Sequence, residues 1–113
     1  MAGELRASVR QRGKLAIIDL AGDVTIFAEE VISRAYHEAS DGNPTDIALN
    51  FAKSEYINSA GIAVIINFVT EAVKSSERIF IVGLTPHFQK IFRMVGLAQY
   101  AQILDTEEDI YGN

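Results

Sequence analysis

The sequence predicts an α/β domain, a mixed β-sheet of four to five strands opened by a hairpin, with packed α-helices. Three observations carry this expectation. Two short apolar runs joined by turn chemistry begin the chain, helical and strand periods then alternate to its end, and proline and glycine mark the boundaries between them. A hairpin makes antiparallel neighbours and a strand-helix-strand crossover makes parallel ones, so one sheet should contain both pairings.

Leu5, Ala7 and Val9 alternate with Arg6, Ser8 and Arg10, the period-two pattern of a half-buried strand. Gln11-Arg12-Gly13-Lys14 supplies a turn, and residues 15–20 follow as a second, more buried strand paired back onto the first. Ala21-Gly22-Asp23 ends that pairing. Phe27, Val31, Ile32, Ala35 and Ala39 recur with helical spacing and line the buried side of a helix over about residues 27–39. Asp41-Gly42-Asn43-Pro44 reads as a loop, and Ile47, Leu49 and Phe51 mark the third strand. A polar connection, residues 54–61, leads into a helix over about residues 60–74. Its expected core stripe is Ile62, Ile65, Ile66, Val69 and Val73, with Ala63, Val64 and Phe68 widening the apolar surface beyond one stripe. Residues 78–84 form a fourth strand. Thr85 then caps a helix whose first position is Pro86, and Gly96 suits the left-handed residue that ends it. Residues 100–104 read as a short edge strand, and Thr106 to Asp109 resembles a capping box opening a final turn.

A chain of 113 residues corresponds to one domain, residues 1–113. Its 49% apolar and 22% charged residues are an ordinary globular mixture, which excludes wholesale disorder. Ten Lys and Arg against fifteen Asp and Glu leave a net charge of −5, the wrong sign for nucleic acid or an anionic membrane. There is no cysteine, hence no disulfide framework and no thiolate nucleophile or ligand. Met1-Ala2-Gly3-Glu4 lacks a basic region followed by an apolar one, so the expected location is cytoplasmic. The densest apolar run, residues 61–69, is about half the roughly 20 residues a membrane span needs and contains Asn67, so no membrane insertion is expected.

The sequence has no Gly-x-x-x-x-Gly-Lys cradle, no Gly-x-Gly-x-x-Gly fingerprint and no Gly-x-Ser-x-Gly elbow, and no cofactor is expected. His37 falls on the solvent side of the first helix and His87 beside a helix start; neither is assigned a ligand role. Asp23, Glu29 and Glu30 read most simply as solvated or first-turn carboxylates. The informative segment is Asn58-Ser59-Ala60-Gly61. A serine where a strand passes into a helix points its hydroxyl toward unpaired amides, and a phosphate there would meet the positive end of the helix dipole. Phosphorylation adds about −1.5 to −2 charge, which would damage an apolar or acidic docking surface. The same serine also reads as an ordinary N-cap, and local physics alone does not choose between them.

Gly22-Asp23-Val24-Thr25 before a helix, Asn58-Ser59-Ala60-Gly61-Ile62 opening an apolar helix, and Leu84-Thr85-Pro86 through Phe92-Arg93-Met94-Val95-Gly96-Leu97 together resemble the STAS family over nearly the whole chain. The pattern looks like the stand-alone bacterial branch, the anti-sigma factor antagonists. In that family the motif is Asp-Ser-[Ser/Thr/Ala]-Gly-[Leu/Ile], and its first serine accepts phosphate; that position falls on Ser59. The resemblance implies partner switching: the unphosphorylated domain captures a serine kinase that doubles as an anti-sigma factor, phosphorylation ends the capture, and a PP2C-type phosphatase restores it. The domain is then a substrate of two enzymes and not itself one. Asn58, Ala60 and Gly61 are expected to shape the loop around the phosphate; Ile62, Val64 and Phe68, one to three turns along the helix from Ser59, are expected to join Asp23 and Thr25 in the partner-binding face, although Val64 and Phe68 also read as core packed between two layers. A homodimer is left open. Asn58 replaces the usual Asp, and Thr25 stands where sigma-regulating members often carry an acidic residue. Both changes resemble more divergent branches, in which a STAS domain is a constitutive adaptor: a stressosome-type scaffold, or the small subunit of a lipid transporter, with Ser59 only capping its helix.

Overall fold

The computed structural model describes residues 3–112. The elements run β1 (Arg6–Arg12), β2 (Leu15–Ala21), α1 (Ala28–Ser40), β3 (Asp46–Lys53), α2 (Ser59–Lys74), β4 (Arg78–Val82), α3 (Pro86–Met94), a 3-10 turn (Leu97–Gln99), β5 (Ala101–Leu104) and α4 (Glu108–Tyr111). The strands form one five-stranded sheet in the order β1-β2-β3-β4-β5. β1 pairs antiparallel with β2, and the remaining three pairings are parallel. The mixed sheet opened by a hairpin is therefore present, and the hairpin loop shortens to Gly13-Lys14 because both strands extend beyond the alternating run that marked them.

Successive side chains on a strand point to opposite faces, and this divides the core. Ala16, Ile18 and Leu20 of β2, Ile47, Leu49 and Phe51 of β3, and Ile79 and Ile81 of β4 meet the buried sides of α1, α2 and α3 in the main cluster. Leu15, Ile17, Ala48 and Phe80 form a smaller cluster on the other face, against Leu104 and Ile110. Phe92 of α3 is fully buried and meets Phe51 edge to face at 5.9 Å between ring centroids, which ties α3 to β3.

Local signals set the ends of α3. The Thr85 hydroxyl accepts a hydrogen bond from the Phe88 N–H at 3.3 Å, Pro86 occupies the first helical position, and Gly96 adopts a left-handed conformation at φ 88°. At the C-terminus the Asp109 carboxylate accepts from the Thr106 N–H at 3.1 Å, one bond of the expected capping box, but α4 starts after Glu107, whose side chain makes no capping bond, so the full box is not formed.

Two sequence expectations are corrected. Phe27 does not belong to the core stripe of α1; it precedes the helix and is 85% exposed, while Ala28, Ile32, Ala35 and Ala39 are buried. The stripe of α2 is turned relative to the expected one. Gly61, Val64, Ile65, Phe68, Val69 and Ala72 are buried, Ile62 and Ile66 are half-buried, and Val73 is 36% exposed. The helix must cover both the sheet and α1, and Phe68 meets Tyr36 of α1 edge to face at 5.3 Å.

Candidate functional site

The site forms where two connections meet at the carboxyl ends of β2 and β3. Gly22 donates to the Lys53 carbonyl at 3.1 Å, and the Ser54 hydroxyl, buried, donates to the Gly22 carbonyl at 2.7 Å. Further along, the Val24 N–H donates to the Tyr56 carbonyl at 2.9 Å and the Asn58 N–H to the Val24 carbonyl at 3.1 Å, a parallel bridge centred on Val24 and Ile57. Both of those side chains are buried, so the bridge is anchored from below. Residues 22–25 and 53–58 are thus laced together, and α2 starts from the lacing.

Asn58 caps α2. Its Oδ1 accepts from the Gly61 N–H at 2.8 Å, and its carbonyl accepts from Ile62 at 2.9 Å. The reading of Ser59 as N-cap is corrected accordingly: Ser59 is the first helical residue, exposed, and no hydrogen bond engages its hydroxyl among the described residues. Asn and Asp cap almost equally well. Asn58 therefore keeps the capping bond while placing no carboxylate beside Ser59, and the first turn of α2 carries no acidic residue. An anion arriving at Ser59 meets unpaired amides without a like charge from that turn.

Gly61 has a steric role. It is buried, and a Cβ built on it would collide with the Val24 carbonyl, so the start of α2 can lie against the Val24 backbone only without a side chain at this position. Ala60 is half-buried beside it. Thr25 closes the entry to α1: its carbonyl accepts from Ala28 at 2.9 Å and its hydroxyl from Phe27 at 3.3 Å. Asp23 is half-buried, its N–H bonded to the Gly3 carbonyl at 3.1 Å.

The structure thus brings Asp23, Thr25, Asn58, Ser59, Ala60, Gly61 and Ile62 into one neighbourhood. It removes Val64 and Phe68 from the expected docking face, because at 6% and 8% exposure they are buried in the main core. The apolar surface actually presented here is Tyr56 of the second laced segment and Ile26 and Phe27 just after the first, all exposed. Tyr56 and Ile26 gave no periodic signal because they lie in connections, and Phe27 was absorbed by the helical period of α1. His37 and His87 are both exposed, on α1 and α3, and no group of three or more His, Cys, Asp or Glu placed to hold a metal occurs among the described residues. No helix is long and apolar enough to cross a membrane.

A sheet of one antiparallel and three parallel pairings, with α1, α2 and α3 packed on one face, defines the class of α/β domain shared with several solved proteins. An anti-sigma factor antagonist from Mycobacterium paratuberculosis superposes with TM-score 0.77 at 13% identity, over 94% of this chain and 90% of that one. SpoIIAA, an anti-sigma factor antagonist solved in its unphosphorylated form, gives 0.69 at 22% identity, over 92% of each chain. The phosphorylated form of the Bacillus cell fate determinant SpoIIAA gives 0.66 at 23%, over 92% of this chain and 96% of that one. At these identities the likeness is one of fold. Residues 7–105 match the family described as "Mlab, STAS domain", and the chain belongs to this STAS family. Comparison with curated proteins gives no match.

Proposed function

We propose that this STAS domain is a phosphorylation-gated protein-binding module of the anti-sigma factor antagonist kind, with Ser59 as acceptor. The observation that carries the reading is the exposed hydroxyl of Ser59 at the first position of α2, left uncommitted because Asn58 does the capping. In the unphosphorylated state the domain binds a serine kinase that also serves as an anti-sigma factor, through the neighbourhood of Ser59, Thr25, Asp23 and Ile62 and the apolar side chains Ile26, Phe27 and Tyr56. The kinase joins the Ser59 Oγ to the γ-phosphorus of ATP as the β,γ-bridging bond breaks; ADP leaves, and the hydroxyl proton passes to a base of the kinase. The added charge, about −1.5 to −2, is held by the α2 amides but faces a surface built for an apolar partner, and the complex separates. A PP2C-type phosphatase returns the hydroxyl, and transcription is regulated by which partner the kinase holds.

The test is incubation with a serine kinase encoded beside this gene, with ATP, followed by intact-mass measurement. One phosphate is expected on the native protein and none on Ser59→Ala. Full modification of Ser59→Ala overturns the assignment. In a pull-down, Ser59→Ala should retain the kinase and Ser59→Asp should bind it at least several-fold more weakly. The charge lost at Asn58 and Thr25 relative to sigma-regulating members favours a second reading, a constitutive adaptor; on that reading neither substitution changes partner binding.

A further inference from the structure

The sheet face away from α1, α2 and α3 is covered over only part of its width. α4 lies against Leu15, Ile17, Ala48 and Phe80 through Ile110, and Glu107 beside it bonds to Arg10 at 2.6 Å. Toward the carboxyl ends of β2 and β3 the same face opens into a hollow of about 620 Å³. Strand register sets its floor in two rows. Ser8, Asp19 and Asn50 lie side by side, and beyond a register shift between β2 and β3 Arg6, Ala21 and Lys53 do the same.

The second row makes the hollow. Ala21 is small and stands between two long cationic side chains on strands whose spacing, about 4.8 Å each, puts their backbones roughly 10 Å apart. Arg6 and Lys53 are exposed and neither closes an ion pair with a carboxylate among the described residues. In the first row Asp19 accepts from Arg10 at 2.6 and 2.9 Å and from the Asn50 amide at 2.9 Å, so its carboxylate is fixed in place and attracts Lys53 through space without closing an ion pair with it. Ser8 and the outer lone pairs of Asp19 remain as partners for hydroxyl groups. On a chain of net charge −5 this is a local excess of positive charge, Arg6, Arg10 and Lys53 against Asp19 in the lining of the hollow. Its volume falls in the range of about 300–1,000 Å³ typical of small-molecule sites.

We propose that this hollow binds a small phosphomonoester, with the phosphate held between Arg6 and Lys53 and a hydroxyl-bearing remainder lying over Ser8 and Asp19. The site is on the sheet face opposite α2, so it is separate from Ser59 and does not depend on the role proposed for that residue. The test is an NMR titration of the ¹⁵N-labelled protein in phosphate-free buffer with ribose 5-phosphate and, separately, ribose. Saturable shifts are expected for the phosphate ester at the amides of Arg6, Ser8, Ala21 and Lys53, with none for ribose. The double variant Arg6→Ala/Lys53→Ala, whose changes are at exposed positions and whose fold is checked in the same spectra, should bind at least tenfold more weakly. Absence of saturable shifts, equal shifts with ribose, shifts confined to residues 58–62, or unchanged binding by the double variant would each overturn the proposal.

Discussion

On one side of the sheet the strands present Ile18, Leu49 and Ile81 to three helices, and on the other side the neighbouring residues are Ile17, Asp19, Ala48, Asn50 and Phe80. The first side is a continuous apolar core. The second is a small apolar patch under α4 that gives way to charge, where Arg10 bonds to both Asp19 and Glu107, Arg12 lies 3.6 Å from Glu107, and the Arg12 guanidinium stands 4.1 Å over the Tyr111 ring. The difference separates two kinds of stability. Helix-side packing is dry across the sheet, whereas the other side is dry only under α4 and beyond it is fastened by ion pairs that water screens. The residues proposed to meet a partner lie at the rim of the first, and those proposed to hold a ligand lie along the open part of the second.

The sharpest break of that comparison is a charge placed on the dry side. Val64→Asp puts an unpaired carboxylate into the main core at a cost of several kcal/mol, a large part of the roughly 5–15 kcal/mol total for a domain. Urea titration followed by circular dichroism should find the variant unfolded or nearly so, while Val73→Asp, at the exposed margin of the same helix, shifts stability by about 0.5 kcal/mol or less. Equal destabilisation by both would mean that the stripe of α2 faces differently.

A smaller effect is expected at the rim of the dry side. Asn58→Ala removes the cap of α2 and should cost about 1 kcal/mol, a drop in Tm of about 4–8 °C for a domain of this size. Asn58→Asp retains the acceptor and should melt within a degree or two of the native protein. A full loss with Asp as well would show that the amide matters for something other than capping.

The smallest effect belongs to the charged side. Arg10→Met should cost up to about 1 kcal/mol at neutral pH, because the pairs are partly exposed. Hydrogen bonding from Arg10 holds the Asp19 and Glu107 carboxyls below their ordinary range despite their partial burial, which acts the other way. Folded-state values below the unfolded ones mean that this stabilisation is present above about pH 4 and is lost as pH falls through the depressed values. Denaturation curves of native protein and Arg10→Met should therefore converge in acid. A gap that persists at pH 2 would assign the stabilisation to packing of the arginine stem.

Much of the fold was written locally. The hairpin, the alternation of helices and strands, and the ends of α3 rest on neighbours in sequence, and Thr85, Pro86 and Gly96 act through bonds and dihedral angles within a few residues of themselves. The site was legible as far as Ser59 and Gly61. Its docking side was not, because α2 is apolar around most of its circumference and a period of 3.6 then marks a helix without marking which side is inward. Val64 and Phe68 were assigned to the surface on that account, and Val73 to the core. Phe27 shows the converse, a residue at helical spacing that the chain leaves outside the helix.

The amino-acid order by itself determined the class of fold, the two ends of α3, and the presence of a serine at the head of α2. Only the tertiary structure decided how α2 is turned and which residue caps it. The contact of Gly61 with the Val24 backbone and the packing of Phe68 on Tyr36 join segments distant in sequence, and such contacts set the rotation of a helix that its own composition leaves undetermined. The charged hollow has the same origin, since Arg6 and Lys53 become neighbours only when β1 and β3 pair on either side of β2.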